Sequence, residues 1–148
     1  MSSFNVKIDR NVLCADATQI KNWFETGEIF PEEYLQQVIL ATEKINPVIN
    51  AFISFEPARM LKEFKSCQNT SSLFGLPVGI KDNIDVSGYR TTAGMKTRRL
   101  SLANRDAFVI EKLKANGALI GGKLNMHEAA LGRQIITNTS VLAKTRIA

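Results

Sequence analysis

The chain has 148 residues, 45% hydrophobic and 22% charged, a balance expected of a soluble domain with a real core rather than a disordered segment. A formal charge of +5 could attract nucleic acid, but the densest basic run, Lys96 to Arg99, has no interleaved aromatic residue; it is expected to be a solvated loop face, and nucleic acid is disfavoured as a partner. Cys14 and Cys67 lack CxxC spacing, no stretch approaches a membrane span, and the N-terminus has no secretory pattern, so the expectation is a cytoplasmic protein with two reduced, buried thiols, no metal, no cofactor and no membrane.

In chain order, Ala17, Ile20, Trp23 and Phe24 follow a helical stripe, and Asp16 with Gln19 forms a capping box, so a short helix is predicted over 16–24 with Gly27 closing it. Pro31 opens a longer helix, with Glu32 and Glu33 in the first turn where the helix dipole favours them. Leu35, Val38, Ile39, Thr42 and Ile45 give that helix one buried face, and Asn46-Pro47 is expected to stop it. A strand is predicted over 50–55 and a more polar helix over 57–67; the polar run 66–72 is the one candidate linker.

The apolar run 76–80 (LPVGI) is predicted to be a strand buried on both faces. After a loop rich in Gly and Thr, Asp106 is expected to cap a helix over 107–116 that Gly117 closes, and 118–121 (ALIG) is a second buried strand. Helices alternating with short apolar strands point to an α/β fold, with helices packed on a mostly parallel sheet.

Several mechanisms lose their residues at once. His127 is the single histidine, and Leu131 stands where HEAAL would need a second histidine to bind zinc. Gly117, Gly121 and Gly122 do not form a GxGxxG pattern, and there is no Walker loop.

Lys81 is different, because it ends an apolar strand at the sheet edge where α/β proteins place ligands. Strand alternation puts Lys81 on a face with Pro77 and Gly79, where Gly79 would leave space beside the lysine stem, and puts Asp82 on the other face. Two outcomes stay open on these residues alone. The lysine can snorkel to solvent, as most do, or it can be desolvated and so depressed in pKa toward a neutral amine able to act as a base. Lys123 repeats the arrangement after ALIG.

The stretch 75–83 (GLPVGIKDN), then 91–94 (TTAG), Asp106-Ala107 with Leu113, Gly117-Ala118, Gly122-Lys123 and Asn125-Met126, in that order, resembles the amidase-signature family; 46–52 (NPVINAF) and the early helices are similar to it too. The resemblance implies the N-terminal part of an α/β/α sandwich around a mixed sheet. It also implies hydrolysis of a carboxylic amide to the acid and ammonia or amine by a Lys, cis-Ser, Ser triad. Lys81 matches the lysine that takes a proton from the bridging serine, which activates the nucleophilic serine; water then releases the acyl-enzyme. Ala130, Leu131 and Gly132 match part of the substrate-pocket wall, a role compatible with a helix end that packs its leucine. The resemblance gives Lys123 no place in the triad, so it is expected to be structural or superficial, and His127 structural.

The resemblance divides the chain into a helical segment with one strand (1–70), a motif-bearing α/β segment (71–132) and a divergent tail (133–148). Residues 145–148 resemble those just before the family's GGSSGGS motif, so neither serine has a counterpart; Ser101 and Ser140 lie in no glycine-rich turn. The chain alone is therefore expected to be inactive. The implied partners are a small-molecule amide and a second chain supplying the serine-bearing remainder. The alternatives are a non-catalytic truncated remnant or binding module, and part of the amidase subunit of a tRNA-dependent amidotransferase. NMHEAALG looks more like stand-alone small-amide hydrolases than like that subunit.

Overall fold

The computed structural model describes residues 8–67 and 71–131. It opens with a short helix that the sequence periodicity did not announce, α1 (Arg10–Leu13), capped by Asp9, whose side chain accepts from the Asn11 N–H. Helix α2 (Ala17–Thr26) begins as predicted, with the Asp16 carboxylate accepting from the Gln19 N–H at 2.8 Å, and ends at Gly27 in the left-handed conformation.

Helix α3 (Pro31–Ile49) runs straight through Pro47, which was expected to stop it. Pro47 sits in the last, exposed turn, where water can satisfy the carbonyl that its missing N–H leaves over. The stop falls instead on Asn50, left-handed at φ 50°, while the Asn46 side chain accepts from the Phe52 N–H at 2.8 Å and donates to the Phe52 carbonyl at 3.1 Å. The single predicted stripe is also corrected: Tyr34, Leu35, Gln37, Ile39 and Ala41 are buried, and Ile45 is exposed. The reason is that α3 serves two clusters. Tyr34 packs with Val12, Ile20 and Leu76, whereas Leu35 and Ile39 pack with Met60 and Leu119.

The remaining elements are β1 (Phe52–Phe55), α4 (Pro57–Ser66), β2 (Pro77–Lys81), α5 (Phe108–Ala115) and β3 (Leu119–Leu124). The strand order is β1-β3-β2, with β3 parallel to β2 and antiparallel to β1. The sheet is therefore mixed, as the family resemblance implied, and not mostly parallel, because apolar patterning marks the buried faces of a strand but not the direction of its neighbour. Strand β2 is at the edge of this sheet: Ile80 is buried, Pro77, Val78 and Gly79 are half-buried and Lys81 is exposed, which corrects the expectation of burial on both faces.

Each face of the sheet has its own cover. Ile80 and Ile120 pack against Ile110 of α5 and against Val86 and Tyr89 of the following loop, and Leu119 packs on the other side with Leu35, Ile39 and Met60 of α3 and α4. Full burial of such side chains stabilises a fold by about 1.5–3 kcal/mol each, so these two clusters hold the layers together. The result is an α/β/α arrangement.

Asp106 does not cap α5; Ala107 occupies that position. The Asp106 carboxylate turns back to accept from the Ser87 N–H and from Lys114 Nζ, both at 2.7 Å, and so pins the loop over Ile80 to the helix. Desolvation pushes this carboxyl up, but the hydrogen bonds from Lys114 and Ser87 outweigh it and hold its pKa below the ordinary aspartate value. The free cysteines are not buried as expected: Cys14 is exposed at the end of α1, and Cys67 is half-buried just beyond α4. Among the described residues no helix is long and apolar enough to cross a membrane.

Candidate active site

Lys81 and Lys123 lie near the ends of two adjacent parallel strands, with Ile80 opposite Lys123 and Lys81 opposite Leu124. An unbroken alternation from Ile120 would put Lys123 on the opposite face from Ile120. It does not, because β3 carries an extra residue: Val78 pairs with Ile120, but Gly79 already pairs with Gly122. This bulge at Gly121 brings Lys123 back to the face of Ile120 and Ile80, under the loop. Gly122 is what the bulge requires, since a Cβ there would lie 2.0 Å from the Ser54 carbonyl oxygen of β1.

The two lysines therefore meet opposite surroundings. Lys123 is 0% exposed, and its ammonium donates to the Ile84 carbonyl at 2.8 Å, the Arg90 carbonyl at 3.1 Å and Thr91 Oγ1 at 3.1 Å, using all three of its protons. It also stands 3.4 Å from Asp82 Oδ1. Burial pushes the Lys123 pKa below the ordinary lysine value, against the upward pull of Asp82. Its burial excludes the surface alternative. Lys81, by contrast, is exposed, and its ammonium has no hydrogen-bond or ion-pair partner among the described residues. The expected desolvation is thus not present among these residues. Nor is the space expected beside Gly79, where a Cβ would come within 2.9 Å of the Leu124 side chain.

Asp82, directly after Lys81, is 0% exposed and accepts through Oδ2 from the Thr92 N–H at 3.1 Å and from Thr92 Oγ1. Its backbone carbonyl accepts from the Ala93 N–H at 3.1 Å, which brings the 91–94 loop against the end of β2. The Ala93 carbonyl in turn accepts from the Ala129 N–H at 2.7 Å. Three motifs far apart in sequence, the lysine turn, TTAG and the 127–131 turn, are joined at one end of the parallel strands, the end where open α/β sheets bind ligands. Ala93, Ala129 and Ala130 all have left-handed φ angles, of 51°, 51° and 61°. A left-handed alanine costs about 1–2 kcal/mol, and such outliers cluster at functional sites.

Of the expected pocket residues, Ala130 and Leu131 are exposed on this turn, Leu131 at 78%, so the leucine does not pack as a helix end would pack it. Gly132 lies outside the described residues. His127 is half-buried beside Gly94, where an added Cβ would lie 3.1 Å from the His127 carbonyl carbon. Among the described residues no group of three or more His, Cys, Asp or Glu side chains could hold a metal ion. The run 96–99 is exposed, as a solvated loop face should be.

The order of these motifs along the chain finds its counterpart in a family model, described as Amidase, that matches residues 32–147. The chain belongs to the amidase family. It is 37% identical over 123 residues to a glutamyl-tRNA(Gln) amidotransferase subunit from Clostridium novyi, a match covering 78% of this chain and 25% of that protein. It is 42% identical over 117 residues to the corresponding subunit from Saccharolobus solfataricus, covering 78% of this chain and 24% of that protein. Among solved structures, 6-aminohexanoate cyclic dimer hydrolase superposes with a TM-score of 0.74 at 28% identity, over 83% of this chain and 25% of that one. This amidase-family chain thus spans about a quarter of the length of the curated relatives it matches.

Asp82 points away from Lys81 in the strand alternation, and the TTAG motif alone does not single out Thr92. A usable signal was present. Alternation placed Asp82 on the buried face of Ile80, and a buried carboxylate requires partners. The repeated Gly-Lys after the second strand, taken with the adjacent glycines as a bulge, would have supplied one.

Proposed function

We propose that this chain contributes the lysine base of an amide hydrolase, the two serines coming from sequence beyond the motifs present here, on the same polypeptide or on a second chain. The observation that carries the reading is the placement of Lys81 at the C-terminal end of β2, with an ammonium that has no partner among the described residues, beside the joined 91–94 loop and 127–131 turn. A lysine kept for structure would be engaged, as Lys123 is.

In this reading the serine-bearing remainder covers the Lys81 end of the sheet and desolvates the amine, favouring its neutral form. Neutral Lys81 takes the proton of the bridging serine, which takes the proton of the nucleophilic serine as that oxygen attacks the amide carbonyl. The proton returns through the same relay to the departing nitrogen, leaving an acyl-serine; water, deprotonated by the same base, releases the carboxylic acid. Ala130, Leu131 and Gly132 form part of the wall that receives the acyl group. The setting is cytoplasmic, in keeping with two free thiols.

A second reading, a segment of the amidase subunit of a tRNA-dependent amidotransferase, draws support from the names of the relatives at 37% and 42% identity. There the amide is a donor whose ammonia is passed on, and partner subunits hold the tRNA. The experiment is ammonia release from a panel of aryl and aliphatic amides and glutamine, by the chain alone and mixed with a serine-bearing remainder. Release only in the mixture supports the proposal, and a strong preference for glutamine favours the second reading. Silence in both, from a folded sample, overturns the proposal in favour of a non-catalytic binding module.

A further inference from the structure

The buried pair Asp82 and Lys123 is not needed for the proton relay above, yet it lies one residue from Lys81. A buried ion pair gains little stability over apolar side chains of similar volume, so its presence at this spot calls for a positional explanation. We propose that Asp82, Thr92 and Lys123 are positioning residues that fix Lys81 and the 127–131 turn relative to one another. The inference rests on reading Lys81 as the base.

The geometry runs in unbroken steps. Lys123, re-aimed by the β3 bulge, binds the carbonyls of Ile84 and Arg90 and the hydroxyl of Thr91, which holds both ends of the loop that follows Lys81. Asp82 Oδ2 is held twice by Thr92, through its N–H and its hydroxyl, and Oδ1 faces the Lys123 ammonium with no other partner. The carboxylate cannot turn without abandoning one of these contacts, and Asp82 is the residue next to Lys81 in the chain.

From Thr92 the constraint passes on to the turn. Its hydroxyl donates to Asp82 and accepts from the Gly94 N–H at 3.2 Å. Gly94 is left-handed at φ 70°, and an added Cβ there would lie 3.0 Å from the Glu128 Cα, so the loop fits the turn without room for a side chain. Two backbone hydrogen bonds complete the path, Ala93 N–H to the Asp82 carbonyl and Ala129 N–H to the Ala93 carbonyl. Thr92 is the one member whose change leaves both charges in place, which makes it the test position.

Thr92→Val removes the hydroxyl at nearly constant volume, and Thr92→Ser restores it. Amide hydrogen exchange on the 148-residue chain reads the geometry, and kcat, KM and the pH profile of kcat in the serine-supplemented enzyme read its consequence. The expected result for Thr92→Val is about tenfold or faster exchange at Ala93 and Ala129 with no change across β3. It is accompanied by a kcat lowered about 10- to 100-fold, KM within about threefold, and a shifted pH limb. Thr92→Ser should recover the exchange protection, kcat and the pH limb. Unchanged exchange at Ala93 and Ala129, acceleration spread equally over β3, or faster exchange with an unaltered kcat would each overturn the proposal. An unsubstituted enzyme that releases no ammonia would instead defeat the amidase reading, and with it the catalytic half of the inference; the exchange data would still decide whether the cluster pins the turn.

Discussion

Lys81 and Lys123 are at neighbouring strand ends and follow a similar apolar run, yet one is exposed and the other is 0% exposed with every proton donated to protein. The difference comes from one extra residue in β3. The bulge turns Lys123 under the loop that carries Val86 and Tyr89, while Lys81 stays on the regular alternation and faces out at the open end. Proximity to a strand end therefore says little about a lysine until the face is known, and the face depends on backbone irregularity as much as on pattern.

The sharpest way to break this contrast is to remove the partner of the covered lysine. Asp82→Ala leaves a buried ammonium without its counter-charge and should destabilise the protein by about 3–5 kcal/mol, measured as the urea midpoint of the 148-residue chain. Pairing it with Lys123→Met should give a loss smaller than the sum of the single losses, because the two groups share one interaction. Full additivity would mean that the pair is not coupled.

Gly122→Ala attacks the bulge itself. With the Ser54 carbonyl 2.0 Å from the new Cβ, β1 and β3 must separate, and a loss of about 2–3 kcal/mol is expected by the same measurement. An unperturbed midpoint would contradict the close packing of β1 against β3 at Gly122.

The covered side holds a second ion pair, between Asp106 and Lys114, with a pH signature of its own. Asp106 has a depressed pKa in the folded chain, so its contribution is fully present above its ordinary pKa of about 3.9 and is lost as pH falls through the lower folded value. Asp106→Asn should cost about 1–2 kcal/mol at neutral pH, and the difference from the unsubstituted protein should shrink below about pH 4. A pH-independent difference would contradict the assigned pair.

The smallest effect is expected at the border of the two environments. Ala93→Gly relieves a left-handed alanine but adds freedom to the unfolded chain, so stability should move by less than about 1 kcal/mol.

Much of the fold was legible because local chemistry decides it. The Asp16 cap, the Gly27 terminus, the Pro31 start and both parallel strands follow from residue types whose preferences no tertiary contact opposes. What escaped was decided at long range. Pro47 stays helical while Asn46 clamps Phe52, Asp106 leaves its capping place for Ser87 and Lys114, and the residues after ALIG, from Gly122 to Leu124, extend a strand that pairs with β1. At the site, Lys81 could be singled out as the residue to watch, but the junction of 91–94 with 127–131 depends on backbone hydrogen bonds that no spacing rule contains.

The measurement closest to the central claim is turnover and urea midpoint, side by side, for Lys81→Ala in the serine-supplemented enzyme. The account predicts kcat/KM lower by about 10²–10⁴ with the midpoint unchanged, since an exposed side chain is removed from a site that its absence does not unfold. A folded Lys81→Ala variant that still turns over amide at the unsubstituted rate would contradict it.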